Sequence, residues 1–261
     1  MAPPPILQTI SIERLSDGAV LLTYNTPEKA NAFTPRTYDE LRGALVWAAE
    51  EEDVRVVLVN GKGKHFCAGR AMGGAENTIE AEIAAGTGLS QVLASYPKVL
   101  MAAVHGASVG WGCTQLTNFD LVYAHSSAFF QTPFMPLGLV PEGGSSYTFP
   151  ALMGRPRANA LLLAGDRLTA QEAYTGGLVT KVLQGSVEDF LDEVKGRARR
   201  IGGFSGEALG MAKRLIARGE GDAAARKREA GEGERMDLVV RFGREDTKKR
   251  LAAFGKDKAK M

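Results

Sequence analysis

The sequence predicts an α/β fold with parallel strands. Two short runs, the largely β-branched VRVVLV at 54–59 and VLMAAV at 99–104, are apolar along most of their length, as strands covered on both faces are. A stretch of helical periodicity over 79–93 separates them, and a glycine-rich loop follows each, at the strand ends where such folds bind ligands.

In chain order, ISI at 10–12 and AVLLTY at 19–24 flank Ser16-Asp17-Gly18, which predicts a hairpin. Thr34-Pro35 supplies the cap and first helical position for a helix whose Tyr38, Leu41, Leu45 and Trp47 recur at helical spacing. The first buried strand ends at Asn60-Gly61 and opens into HFCAGRAMGG, 65–74; the second opens into HGASVGWGC, 105–113. From about Gly143 onward the pattern is mainly helical, over 155–164, 170–175, 187–201 and a long stretch over 222–254. No linker, low-complexity break or internal repeat divides the chain. The reading is therefore a catalytic core over 1–200 and a C-terminal helical region over 201–261.

Charge narrows the function classes. Lys and Arg number 32 against 30 Asp and Glu, a net +2 that does not point to nucleic acid, and the late basic runs (Lys248-Lys249-Arg250 and 256–260) read as solvated surface. Cys67 and Cys113, the two cysteines, lie far apart outside any paired motif, which implies neither a disulfide framework nor a zinc cluster and fits a reducing compartment. His65, His105 and His125 share no ligand spacing and read as hydrogen-bonded structural residues, so no metal is expected. The start, MAPPPILQTI, lacks the basic and long apolar regions of a secretory signal, and no segment reaches the roughly 18 apolar residues of a membrane span. The final Ala259-Lys260-Met261 is similar to a relaxed form of the small-basic-aliphatic tripeptide read by the peroxisomal import receptor.

Glycines directly after buried strands let backbone approach a ligand and leave amides pointing outward. Two such loops can each give one N–H to a carbonyl oxygen gaining negative charge; the plainer alternative is a pair of tight turns. The spacing of Gly106, Gly110 and Gly112 is not that of a dinucleotide loop, and Ser145-Ser146 lack a nucleophile elbow.

Several motifs then recur in a fixed order: Asn31-Ala32-Phe33, Phe66-Cys67-Ala68-Gly69, Ala103-Val104-His105-Gly106, Gly110-Trp111-Gly112-Cys113, Leu137-Gly138-Leu139-Val140-Pro141 and Gly177-Leu178-Val179. On these the chain resembles the crotonase, or enoyl-CoA hydratase/isomerase, superfamily, and within it the peroxisomal-type Δ3,Δ2-enoyl-CoA isomerases. The resemblance implies a crotonase-type spiral of ββα units with a C-terminal helical trimerisation region, and a homotrimer or dimer of trimers. It implies an oxyanion hole from the Arg70 and Trp111 amides, with Ala68, Gly69, Arg70, Ala71 and Met72 against the coenzyme. Ala71 stands where relatives carry an acidic residue. Lys29 is placed to approach the coenzyme phosphates, although an exposed loop lysine is the simpler reading. Phe134 and Met135 are assigned to an acyl pocket, and burial among them, Phe129 and Phe130 would raise the pKa of a nearby carboxylate.

The two glutamates of the family's hydratases have Thr114 and Phe134 in their places here, and neither can take a proton from water near neutral pH. A glutamate instead follows Pro141, before Gly143-Gly144. The resemblance implies that Glu142 is the single base, although an acidic residue there also suits a plain helix cap. The expected activity is Δ3,Δ2-enoyl-CoA isomerisation on an acyl-CoA substrate, in unsaturated fatty acid β-oxidation. No cofactor is expected, since coenzyme A is part of the substrate. The alternatives are another crotonase hydratase or dehydratase, or a non-catalytic acyl-CoA- or RNA-binding member. The peroxisome is the expected compartment, the cytoplasm the alternative.

Overall fold

The computed structural model describes residues 3–71 and 78–258. Met72 and the Ala259-Lys260-Met261 tripeptide lie outside the described residues.

The expected hairpin forms. Strand β1 (Ile10–Arg14) pairs antiparallel with β2 (Ala19–Tyr24). Helix α1 (Pro35–Glu50) starts where Thr34 accepts the Thr37 amide, with Pro35 in the first turn, and buries Tyr38, Leu41, Ala44, Leu45 and Ala48. Strand β3 (Val56–Gly61), helix α2 (Ile79–Ala94) and strand β4 (Val99–Val104) follow, close to the ranges their periodicities predict.

Then come β5 (Ala107–Val109), α3 (Trp111–Thr114), β6 (Leu121–His125), β7 (Phe129–Gln131), α4 (Phe134–Leu137), α5 (Ser145–Met153) and α6 (Arg155–Asn159). The 155–164 stretch expected as one helix ends in a π-helical turn, Ala160–Ala164. It leads to β8 (Arg167–Thr169), α7 (Ala170–Thr175), β9 (Lys181–Leu183) and α8 (Val187–Gly202). Helix α9 (Gly206–Gly219) falls within the expected C-terminal helical region, outside the individual stretches given above, and the long 222–254 stretch is two helices, α10 (Ala223–Phe242) and α11 (Glu245–Lys258), parted at Gly243.

The main sheet runs β1-β2-β3-β4-β6-β9, parallel from β2 onward. Because successive side chains alternate faces, Val20, Leu22, Val57, Val59, Leu100 and Ala102 enter the core that holds α1 and α2. Ala19, Leu21, Val56, Leu58, Met101 and Ala103 meet Phe190, Val194 and Ala198 of α8 on the other face. The small second sheet, β5-β7-β8, stands at the strand ends, where both glycine-rich loops emerge.

Candidate active site

The two loops are stitched together edge to edge. Cys67 N donates to Ala107 O (3.0 Å), Val109 N to Cys67 O (2.9 Å) and Phe66 N to His105 O (2.9 Å), so the Cys67 and Ser108 segments run parallel. On its other side the first loop bonds the Phe33 segment: Phe33 N donates to Gly69 O and Ala71 N to Phe33 O, each at 2.8 Å. Successive amides of an extended segment face opposite ways, so the Arg70 amide points away from Phe33. Trp111 opens α3, where a first-turn amide has no intrahelical acceptor. Gly69 and Gly110 make the close approach: both have positive φ (+83° and +53°), and a Cβ on Gly69 would lie 2.7 Å from Val109 O.

Glu142 faces this junction. Its Oε1 lies 3.7 Å from where a Cβ on Gly110 would stand. Burial pushes the Glu142 carboxyl up to about 8; the negative charges of Glu82 and Glu234 add to the rise, and Arg70 opposes it. Arg70 keeps its side chain clear of its amide: Nε donates to Glu82 of α2 at 2.5 Å, and the guanidinium lies 4.6 Å from the Phe242 ring centre on α10. Tyr38 packs edge-on to Phe33 and Trp111, and burial together with Glu142 and Glu82 raises its phenol well above the usual value, so the hydroxyl stays protonated.

A cleft of about 1910 Å³ runs past this point, lined by Ala68, Gly69, Arg70, Trp111, Phe134 and Glu142 among others, and walled by α2 and α10. The structure thus brings together Ala68, Gly69, Arg70, Trp111, Phe134 and Glu142. It keeps others apart. Met135 packs on the core and is not in the cleft wall, because its neighbour Phe134 takes the inward position on the short helix α4. Lys29 is exposed on a 3-10 turn whose next residue, Ala30, reaches the cleft. Ala71 is tied to Phe33 beside the cleft. Of the other aromatics, Phe129 lines the cleft and Phe130 is fully buried in the core.

The positions of the hydratase glutamates carry no acid. Thr114 is buried, and its Oγ1 has no partner among the described residues; Phe134 is apolar. Both thiols are buried, Cys67 pushed up to about 12, which does not suit a nucleophile. The histidines bond structurally: His65 Nδ1 accepts the Ala107 amide (3.1 Å), His105 Nε2 donates to Gly63 O (2.8 Å), and His125 meets Ser127 Oγ (2.7 Å). Among the described residues no group of three His, Cys, Asp or Glu side chains could hold a metal ion, and no helix is long and apolar enough to cross a membrane. Glu82, Glu234 and Tyr38 escaped the sequence reading: two sit in ordinary helical patterns, and Tyr38 reads as one more core position of α1.

Chemically, one carboxylate with an elevated pKa stands beside two converging backbone loops with outward amides. That set can move a proton at a carbon next to a carbonyl whose oxygen the amides hold.

Comparison with known proteins agrees with this geometry. The family described as Enoyl-CoA hydratase/isomerase matches residues 14–260. Enoyl-CoA delta isomerase 2 of Homo sapiens is 35% identical over 212 residues, 78% of this chain and 53% of that protein, so the chain spans about half the length of this relative. Enoyl-CoA delta isomerase 3, peroxisomal, of Mus musculus is 34% identical over 78% of this chain and 66% of its own length. The 1,2-epoxyphenylacetyl-CoA isomerase of Escherichia coli (strain K12) is 30% identical over 78% of this chain and 80% of its own. Among solved structures, an enoyl-CoA hydratase/isomerase from Pseudoalteromonas atlantica T6c superposes with a TM-score of 0.84 at 28% identity, covering 96% of this chain and 98% of that one.

Proposed function

The chain belongs to the enoyl-CoA hydratase/isomerase family, and from that premise we propose that it is a Δ3,Δ2-enoyl-CoA isomerase with Glu142 as its single acid/base. One observation carries the reading: the Glu142 carboxylate faces the Gly69–Gly110 junction, while Thr114 and Phe134 occupy the positions a two-glutamate hydratase needs. The amides of Arg70 and Trp111 hold the thioester oxygen. Glu142 takes a proton from C2, the electrons shift to give a dienolate whose charge rests on that oxygen, and the same carboxyl returns the proton at C4. The double bond moves from C3–C4 to C2–C3 with no net gain or loss of atoms. Ala68 to Met72 support the coenzyme, and Phe134 the acyl chain.

The test is turnover of 3-hexenoyl-CoA beside crotonyl-CoA. Conversion of the first without hydration of the second, and loss of at least about 100-fold in kcat for Glu142→Gln, fit the reading; hydration of crotonyl-CoA, or full activity of the variant, refutes it. The E. coli relative's printed name favours one second reading, isomerisation of a strained aryl acetyl-CoA epoxide by the same carboxyl, and preferential turnover of that thioester would select it. Homotrimer formation, service in β-oxidation and a peroxisomal address complete the proposal; the mouse relative's printed name supports the address.

A further inference from the structure

Helix α10 presents three polar side chains seven residues apart, Lys227, Glu234 and Arg241, and a seven-residue step keeps them on one face. All three reach toward the chain that carries Glu142. Arg241 Nε donates to Gly138 O at 2.7 Å, joined there by Thr247 Oγ1 of α11 at 2.9 Å. Glu234 accepts the Gly144 amide at 2.7 Å through one oxygen and the Ser146 amide at 2.8 Å through the other. Lys227 packs its stem against Gly144 and donates from Nζ to Asn118 Oδ1 at 2.7 Å.

The segment 139–143 is therefore held at both ends by the C-terminal helices. It needs holding. Glu142 precedes Gly143 and Gly144, both at positive φ (+69° and +77°), a pair free to take many other conformations. The N-terminus of α5 has no side-chain cap of its own, and the carboxylate that bonds its amides comes from 90 residues away in sequence. Glu234 is 7% exposed and lines the same cleft; burial raises its pKa, and its bonds to Ser146 and Gly144 and the charge of Lys227 oppose that rise.

We infer that Glu234 is a positioning residue for the base: it clamps the Gly144–Ser146 turn so that Glu142 faces the two amides. This rests on Glu142 being the base. The charged and titratable groups around Glu142 are Arg70 and Cys67 from the first loop, Tyr38 from α1, Glu82 from α2 and Glu234 from α10; Lys227 and Glu220 face the far side of the clamp. Removing the Glu234 charge takes away a negative neighbour, which lowers the pKa of Glu142.

The test compares Glu234→Ala, Glu234→Gln and Glu142→Gln in the full chain, reading kcat, KM and the pH profile of kcat/KM on 3-hexenoyl-CoA. Both Glu234 variants are expected to lower the pH midpoint. Glu234→Ala is expected to drop kcat by about 10-fold or more with KM within about 3-fold, and Glu234→Gln, which keeps one acceptor oxygen, to fall between it and wild type. If Glu234→Ala does not fold, the kcat of folded Glu234→Gln against wild type, with KM, decides. An unmoved midpoint and undiminished kcat in folded Glu234 variants, beside an inactive Glu142→Gln, overturn the positioning role and leave the base in place. An active Glu142→Gln overturns the reading of the base itself.

Discussion

Three charges set the behaviour of Glu142. Burial, Glu82 and Glu234 raise its pKa and Arg70 lowers it, to a result of about 8. In the proposed reaction the ionised form is the base, so kcat/KM should rise with pH to a plateau, with a midpoint near 8. Arg70→Ala keeps the amide and removes the opposing positive charge, so the midpoint should move up while activity above it persists; Glu82→Gln should move it down. A pH–rate series on the two variants checks both signs. The same shift acts on stability. A glutamate whose folded pKa exceeds its unfolded one near 4.5 makes the fold bind the extra proton between those values, so stability falls as pH rises through that window. Glu142→Gln should therefore raise the unfolding free energy on the order of 2–3 kcal/mol at pH 8.5, less than the full shift implies because the carboxylate faces an open cleft, and leave it unchanged below pH about 4. Denaturant titrations at the two pH values measure this. The nearness of Glu142 to both loops is readable from the sequence because all three sit in short ordered motifs. Glu82, Glu234 and Tyr38 are not, because their roles arise only from contacts between elements far apart in the chain.

The loops work as elements because backbone meets backbone. Gly69→Ala would place a Cβ 2.7 Å from Val109 O at a φ of +83°, so it should cost about 2–4 kcal/mol in stability and abolish turnover by spreading the two loops. Thermal unfolding and assay of the purified variant read both effects. The long elements follow their periodicities: the largely apolar β3, the apolar β4 and the capped, amphipathic α1 sit within a few residues of expectation. The strands β8 and β9 have three residues each, too few to show a period of two, so the 143–261 stretch reads as more uniformly helical than it is. The break between α10 and α11 was missed because Gly243 lies in an otherwise continuous helical pattern.

At the scale of the molecule, the C-terminal helices carry two duties in this account: they brace the base from within, and they meet other copies from without. Met211, Leu215 and Ile216 on α9 and Met236, Val239 and Val240 on α10 are each at least half exposed in the single chain. Sedimentation should give the mass of three chains or a multiple of it, and Leu215→Asp with Ile216→Asp should shift it toward one. Nothing in the composition of these helices distinguishes the two duties; only their docking on α5 and α4 separates an inward face from an outward one. The central claim remains that one carboxyl moves one proton from C2 to C4. It is tested most directly with 3-hexenoyl-CoA deuterated at C2, turned over in ordinary water and analysed by NMR. The account predicts 2-hexenoyl-CoA carrying measurable deuterium at C4, and no such product from Glu142→Gln. A C4 that holds only solvent hydrogen, formed as fast by Glu142→Gln as by the wild type, would contradict it.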